Sequence, residues 1–491
     1  MKKINRKDFI KKSALSTAAI LSSPLFNIPY LKASEVRHVK KGNGEKILIL
    51  GAGLTGMSAG YELRKLGYDI KILEAQLRAG GRVVTFRQFS DGLYADAGAA
   101  RIPDNHDWTL KYVHEFNLDL VPFYPDAQKD LSYIDYVNQK KIIYKPGAEL
   151  KFGDFPLDLK KDEKDMTISE FGSKVLGKLI NETGDPIAPG WPDASLKKYD
   201  DMTLTDYIVQ NGYSRSIDTI LDLGWNGGKQ PSLLDTAADM FYFSKEKFRS
   251  KVKGGNDLIP RAFADKLRDE IIYGAEVFNI SQAADGCTVY FRRGGNVVSL
   301  KADKVICTIP FPVMREIKVE PGLSPVLKEA INKITYGALA RVFLQVNKRY
   351  WLDNNLNGFA VTNYPTEIWH PTFEQEGPRG IVEVYHKFTD MNNFDNLDEE
   401  EQINLTLNHV ENIFPGIRKY YEGGTVKCWS KDKYVRSATA YYTVGQIMKY
   451  KHIITKPEGN IYFAGEHTSI FHGWMQGALE SAHRVIKQIT A

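Results

Sequence analysis

Lys46-Ile47-Leu48-Ile49-Leu50 runs straight into Gly51-Ala52-Gly53-Leu54-Thr55-Gly56, and this junction decides the fold. The first five residues are a nearly continuous apolar run, the pattern of a parallel strand buried on both faces. Beyond the glycines, Met57, Tyr61, Leu63 and Leu66 mark a helical pattern as far as Gly67. A second strand is predicted from Asp69 to Leu73, ending at Glu74. Gly51 permits the tight turn, Gly53 lets backbone N–H groups approach a pyrophosphate, and Gly56 lets the helix pack closely on the strand. The helix N-terminus then faces phosphate charge. Glu74 stands where a carboxylate accepts hydrogen bonds from a ribose hydroxyl. Many glycine-rich turns bind nothing, but strand, helix and acid together argue for a dinucleotide cradle. The turn by itself leaves NAD and FAD both open.

Around this junction the chain is ordinary in composition. Its 491 residues are 43% hydrophobic and 25% charged, with 40 Gly and 21 Pro. A wholly disordered, collagen-like or disulfide-stapled protein is excluded, and two or three domains are expected. Cys287, Cys307 and Cys428 form no CxxC pair, so neither a metal site nor a redox motif is indicated. The formal charge of +5 is concentrated at the start: residues 1–33 carry +6, leaving −1 for the remainder. Nothing in the remainder suggests a nucleic-acid surface, which would need clustered Lys and Arg on the folded body.

Residues 1–33 read as an export signal. A basic stretch from Lys2 to Lys12 precedes an apolar run from Ala14 to Leu21, too short to span a bilayer comfortably, and Ala33 offers a small-residue cleavage point. Asn5-Arg6-Lys7-Asp8-Phe9-Ile10-Lys11 resembles the twin-arginine signal, with Lys7 where the second arginine is expected. That route carries folded proteins and would suit a chain that closes around a cofactor before export. A general secretory peptide and an amphipathic tail are the alternatives. A periplasmic or secreted location is expected, with no stable membrane span.

Glu74-Ala75-Gln76-Leu77-Arg78-Ala79-Gly80-Gly81-Arg82 resembles the E-A-x-x-R-x-G-G-R stretch of the flavin-containing amine oxidases. The resemblance selects FAD and gives Gly81 close passage along it, with Arg82 set against its phosphates. Asn460-Ile461-Tyr462-Phe463-Ala464-Gly465-Glu466-His467-Thr468 resembles the second flavin motif of that family, in which the glutamate binds the ribityl chain. His472-Gly473-Trp474-Met475-Gln476-Gly477-Ala478 then opens a terminal helix whose N-terminus would face the flavin ring. Glu276-Val277, the strand Ala302 to Pro310, Trp429 and Lys433-Tyr434 are further family-like pieces in the right order. The resemblance implies cofactor contacts from Gly51, Gly53, Gly56, Glu74, Ala75, Gly81, Arg82, Gly98, Ala99, Ala100, Arg101, Val277, Trp429, Gly465, Glu466, Gly473, Met475 and Gln476. No cysteine lies near Ser437 to Thr443, where monoamine oxidases carry their flavin-linking thiol, so noncovalent FAD is expected.

Asp91-Gly92-Leu93-Tyr94-Ala95-Asp96-Ala97-Gly98-Ala99-Ala100-Arg101-Ile102-Pro103 is similar to the segment of L-amino-acid oxidases whose arginine grips the substrate carboxylate. A guanidinium fork meets a planar carboxylate with paired hydrogen bonds, and left alone in a desolvated pocket it is a costly unpaired charge. Arg101 pairing with an internal acid is the competing reading. Gly473 and Trp474 resemble one wall of the amino-acid oxidase site. Trp369-His370-Pro371 is expected to supply the opposite wall, with His370 as wall, base or surface residue. Arg341, in Gly337 to Leu344, stands where the family usually has a lysine that holds a water near flavin N5, so oxygen reactivity is reduced, the water site is rebuilt, or the register is displaced.

The fold expected is α/β: a Rossmann-like FAD-binding domain (40–100, 250–315 and 425–491) interleaved with a mixed-sheet substrate domain (101–145 and 316–424) and a helical subdomain (146–249). The resemblance implies oxidative deamination of an L-amino acid to a 2-oxo acid, ammonia and hydrogen peroxide, by hydride transfer to flavin N5 and reoxidation by dioxygen. Arg101, Trp474, Arg341 and His370 are the expected catalytic residues, and Arg101, Trp369, His370, Gly473 and Trp474 the expected substrate contacts. The aromatic walls point to a bulky apolar or aromatic side chain. The alternatives are a primary amine or polyamine oxidase and an amino-acid dehydrogenase with another acceptor. The oligomeric state stays open, a homodimer among the readings.

Overall fold

The structure is a computed structural model and describes residues 44–123, 130–221, 230–363, 367–387 and 391–491. The leader lies outside the described residues. Lys46–Leu50 forms the middle strand of a five-stranded parallel sheet, flanked by Asp69–Glu74 and Ile271–Tyr273 on one side and by Lys304–Cys307 and Ile461–Phe463 on the other. The apolar run is continuous because both faces are covered, and Ile49 and Leu50 are fully buried. Burying such a side chain contributes about 1.5–3 kcal/mol. The helix Leu54–Lys65 begins at Gly53 without a side-chain cap.

Gly51 has φ +104°, a conformation that favours glycine. A Cβ on Gly56 would stand 2.0 Å from the Gly51 carbonyl oxygen, so only glycine lets this helix sit against its strand. The terminal helix Met475–Thr490 packs beside it, burying Leu479, Ala482 and Val485 in the same core.

A seven-stranded mixed sheet forms the second layer, in the order Tyr421–Cys428, Leu339–Val346, Gly380–Lys387, Glu367–Trp369, Leu356–Thr362, Ser132–Val137, Lys140–Tyr144. Its second, third and fourth strands alternate sharply, as the period of two dictates. One face carries Ala340, Val342, Leu344, Ile368, Val382 and Val384 into an apolar core. The other face carries Arg341, Glu383, Tyr385, Lys387, Glu367 and Trp369. Register sets Arg341 opposite Tyr385 and Tyr385 opposite Glu367, giving one polar row across three strands.

Two segments differ from the expected domain limits, because ladder hydrogen bonds assign them elsewhere. Lys318–Glu320 pairs with Glu276–Ala283 beside the parallel sheet rather than with the substrate sheet. Tyr421–Cys428 remains in the substrate sheet to its end. Between residues 152 and 243 the described regular elements are helices, the last being Leu233–Phe243, capped by Ser232 Oγ accepting from Asp235 N. Among the described residues, no helix is long and apolar enough to cross a membrane.

Candidate active site

A cavity of about 400 Å³ opens along the C-terminal edge of the parallel sheet, reaching from Glu74 at one end to Arg101 and Trp474 at the other. Gly51, Gly53, Glu74, Ala75, Gly81, Arg82, Gly98, Ala99, Ala100, Arg101, Val277, Trp429, Gly465, Glu466, Gly473, Trp474 and Met475 all line it. The chain thus brings together residues spread over most of its length.

The cradle fits a dinucleotide. A Cβ on Gly53 meets nothing within 4 Å and would project into the cavity, taking the space a pyrophosphate needs. The uncapped helix start beside it presents backbone N–H donors to that space. The Glu74 carboxylate accepts from Ala52 N at 2.7 Å and Gln76 N at 2.8 Å, which fixes its orientation while leaving lone pairs for a ribose hydroxyl. Burial raises its pKa, against these two hydrogen bonds.

Arg82 and Glu466 join the two flavin motifs. Arg82 Nη1 donates to Glu466 Oε1 at 2.7 Å and to the Ala438 carbonyl at 2.6 Å. Glu466 Oε2 accepts from Gly473 N at 2.9 Å, tying this acid to the terminal-helix turn. Burial acts to raise the Glu466 pKa, but Arg82 and the other groups around it bring it below the usual carboxylate value. None of the three cysteines lines the cavity.

Two expected cofactor contacts serve the frame instead. Gly56 shapes the turn from behind. Gln476 turns away from the cavity: its Oε1 accepts from Trp108 N and Thr109 N and its Nε2 donates to Asp107, so it caps the neighbouring helix Asp107–Glu115, whose first N–H groups need acceptors.

At the other end Arg101 is 4% exposed and lies beside two aromatic rings that pack on each other, its Cζ 4.4 Å from the Trp369 ring centroid and 5.9 Å from that of Phe123. Burial draws its pKa down to about 10. Its Nη1 stands 3.6 Å from Glu367 Oε2, so Arg101 has an internal acid nearby. Glu367 is shared, however. Its Oε1 accepts from Lys387 Nζ at 3.0 Å and its Oε2 from Trp369 Nε1 at 2.7 Å. Trp369 therefore backs the guanidinium rather than lining the cavity.

The expectation for His370 is corrected. Its ring packs edge-on against Trp351 at 4.6 Å, fully buried on the far side of the strand's end and outside the residues that line the cavity. Alternation along Glu367–Trp369 puts its neighbour Trp369 on the Arg101 side and turns His370 away. Burial pushes its pKa well below the ordinary histidine value.

Arg341 lines the cavity beside Tyr385, its Cζ 4.2 Å from the ring centroid. Its Nη1 donates to the Asp96 carbonyl and, at 3.1 Å, to Glu383 Oε1. Burial raises Glu383 to about 7 and Asp96 to about 6. Trp474 caps the terminal helix, with its ring edge-on to His106 at 4.9 Å.

Tyr385, Glu367, Asp235 and Asp239 were missed by sequence reasoning. Glu383, Tyr385 and Lys387 at alternate positions of Gly380-Ile381-Val382-Glu383-Val384-Tyr385-His386-Lys387 were a legible signal: polar side chains on one face of an otherwise apolar strand. The two aspartates had none, because nothing local ties the Leu233–Phe243 helix to the flavin motifs.

Cradle, cavity and sheet define a flavin-dependent oxidoreductase. The flavin containing amine oxidoreductase family model matches residues 54–490, and the chain belongs to that family. FAD is its cofactor. The chain is 30% identical over 458 residues to a putative L-amino-acid oxidase, YobN, of Bacillus subtilis (strain 168), covering 90% of this chain and 94% of that protein. It is 28% identical to an L-amino-acid oxidase of Demansia vestigiata, covering 91% and 87%. Among solved structures, putrescine oxidase bound to putrescine superposes with a TM-score of 0.76 at 18% identity, covering 91% of this chain and 98% of that one. Cyclohexylamine oxidase from Brevibacterium oxydans IH-35A gives 0.75 at 18%, covering 91% and 100%.

Proposed function

We propose that this enzyme oxidises L-amino acids to 2-oxo acids with release of ammonia, and that dioxygen is the acceptor and hydrogen peroxide the second product. The observation that carries this reading is the charge count around Arg101. Arg101 and Lys387 are both buried cations and share one carboxylate, Glu367. Arg341 and Glu383 belong to the same buried row, so the site holds three cations and two acids; a substrate carboxylate would bring it to three charges of each sign, whereas a simple amine would add a fourth cation to a desolvated site.

When bound, FAD supplies the two-electron acceptor for the hydride leaving the substrate Cα. The protein's part is binding and orientation. Arg101, backed by the Trp369 ring, is the proposed group for the substrate carboxylate. Trp474 and Tyr385 wall the space in front of it, excluding water. An amine desolvated there loses basicity, which favours its reactive neutral form. The Gly473 carbonyl is the proposed acceptor for the amine N–H.

The Arg101–Glu367 contact favours a second reading, an amine oxidase in which Arg101 is internally satisfied. The test is turnover of matched pairs that differ only by the carboxylate: L-phenylalanine with phenylethylamine, and L-lysine with cadaverine. Peroxide and flavin absorbance are read together. Preference for the amino acids is expected, and preference for the amines would overturn the proposal. Slow reoxidation in air after full anaerobic reduction would instead point to a dehydrogenase, the outcome suggested by a clamped Arg341. Export by the leader is also proposed, and the mass of the mature chain tests it.

A further inference from the structure

The chain leaves the substrate sheet after Tyr421–Cys428 and returns close to where it left. Trp429 N donates to the Leu339 carbonyl at 3.0 Å, and Ala438 N donates to the Gly337 carbonyl at 2.8 Å, so the two anchors lie two residues apart. Among the described residues, the backbone groups of 430–437 bond only within 429–437: Asp432 N to the Trp429 carbonyl, and Val435 N and Arg436 N to the Asp432 carbonyl. Asp432 Oδ1 accepts from Tyr434 N at 3.1 Å and tightens the same turn. A short excursion with close ends, bonded to itself, is a compact surface loop that moves as a unit about its anchors.

This loop borders the dinucleotide end of the cavity. Ala275 N donates to the Glu74 carbonyl at 2.8 Å, which puts the residues after it at that end. Lys433, Val435 and Arg436 line the cavity there together with Glu276, Val277 and Glu316. Two ion pairs join the loop to this rim. Lys433 Nζ lies 2.9 Å from Glu276 Oε2, and Arg436 Nη1 and Nη2 meet the two oxygens of Glu316. The Lys433 side chain is 60% exposed and that of Glu316 63%, and ion pairs so open to water contribute little and are screened by salt. Arg436 also has φ +58°, a left-handed conformation that an arginine rarely adopts. The seated loop therefore carries strain at the residue that makes its paired contact, and weak forces hold it down.

We propose that residues 430–437 are a hinged flap over the Glu74 end of the cavity, latched by Lys433–Glu276 and Arg436–Glu316, and that its opening sets how fast FAD enters and leaves. This is independent of the amino-acid reading above. A latch made of protein groups alone holds the flap over an empty and a filled cavity alike. Loosening it speeds entry and release by the same factor and leaves the affinity nearly unchanged.

The test follows flavin release from the FAD-loaded enzyme, as the rise of free-FAD fluorescence after dilution, with the dissociation constant taken from equilibrium dialysis. Glu316→Gln is expected to speed release about threefold and Glu276→Gln/Glu316→Gln about tenfold, with the dissociation constant within about twofold of the wild type. Added salt should speed release more from the wild type than from the double variant, which has lost the pairs that salt screens. Circular dichroism checks the fold of each variant. Release unchanged or slowed by the substitutions overturns the flap. Faster release matched by an equal loss of affinity overturns it too, because Glu276 and Glu316 would then be direct cofactor contacts.

Discussion

Arg101 Nη1 and Glu367 Oε2 stand 3.6 Å apart with almost no solvent access to either side chain. Glu367 thus faces Arg101 across a contact too long for a hydrogen bond, while its own two oxygens are held by Lys387 and Trp369.

Arg101→Met should lower kcat/KM for amino acids by about 100-fold or more, the loss of a desolvated charge-assisted pair. Lys387 still neutralises Glu367 in the variant, so the fold should survive. Steady-state kinetics beside a thermal melt checks this. Unchanged amino-acid turnover would remove the carboxylate-binding role.

Glu367→Gln leaves two buried cations without their shared acid. A destabilisation of about 3–5 kcal/mol is expected, as for breaking a buried pair from one side. Adding Lys387→Met should recover part of it, because the second cation then no longer needs a partner. Urea unfolding of the two single variants and the double variant gives the coupling. Strict additivity would contradict the shared-acid arrangement.

Gly53→Val should fold yet purify without colour. Its side chain enters open cavity space rather than protein, so the loss falls on the cofactor. The ratio of flavin to protein absorbance, with circular dichroism as the control, decides it. A yellow Gly53→Val protein would mean the pyrophosphate lies elsewhere.

His106, His386 and His467 are fully buried, and burial depresses each to about 3 from an ordinary 6.5. The unfolded chain therefore takes up these protons first as pH falls. Their stabilising contribution is complete above 6.5 and is lost on the way down toward 3, by about 1.4 kcal/mol per group for each pH unit. Burial-raised Glu383 and Asp96 act in the opposite sense, costing stability as pH rises toward about 7 and about 6. His370, His409 and His483 are depressed by burial in the same way, and the histidines together outweigh the raised acids in this range, so the urea midpoint should fall between about pH 7.5 and about pH 5. Replacing His386, stacked on Phe394, with Asn should flatten that slope. A midpoint independent of pH would show that these rings are charged or hydrated in the folded protein.

Much of the site was legible before the fold was known. The strand–glycine–helix junction, the arginine after two glycines and the glutamate before the terminal helix each act through local geometry, and local geometry is written in consecutive residues. Arg101 was legible for the same reason. His370 was not. The Trp369-His370-Pro371 string suggests an aromatic wall, but only the register of Glu367–Trp369 against Gly380–Lys387 decides which of two adjacent side chains faces Arg101. Gln476 likewise looks like a cofactor contact in its motif, and it is the start of the helix Asp107–Glu115 that claims it.

The sequence by itself determined the parallel-sheet cradle and its phosphate end, because turn conformation and helix–strand packing depend on which residues lie within a few positions of each other. Tertiary structure alone decided the charge balance at the reacting end, where Arg101, Arg341, Glu367, Glu383 and Lys387 gather from four separate segments, and it alone brought Asp235 and Asp239 to the same cavity. The reason is physical: a buried charge is stabilised by whatever lies within a few ångströms, and at this site those neighbours are distant in the chain.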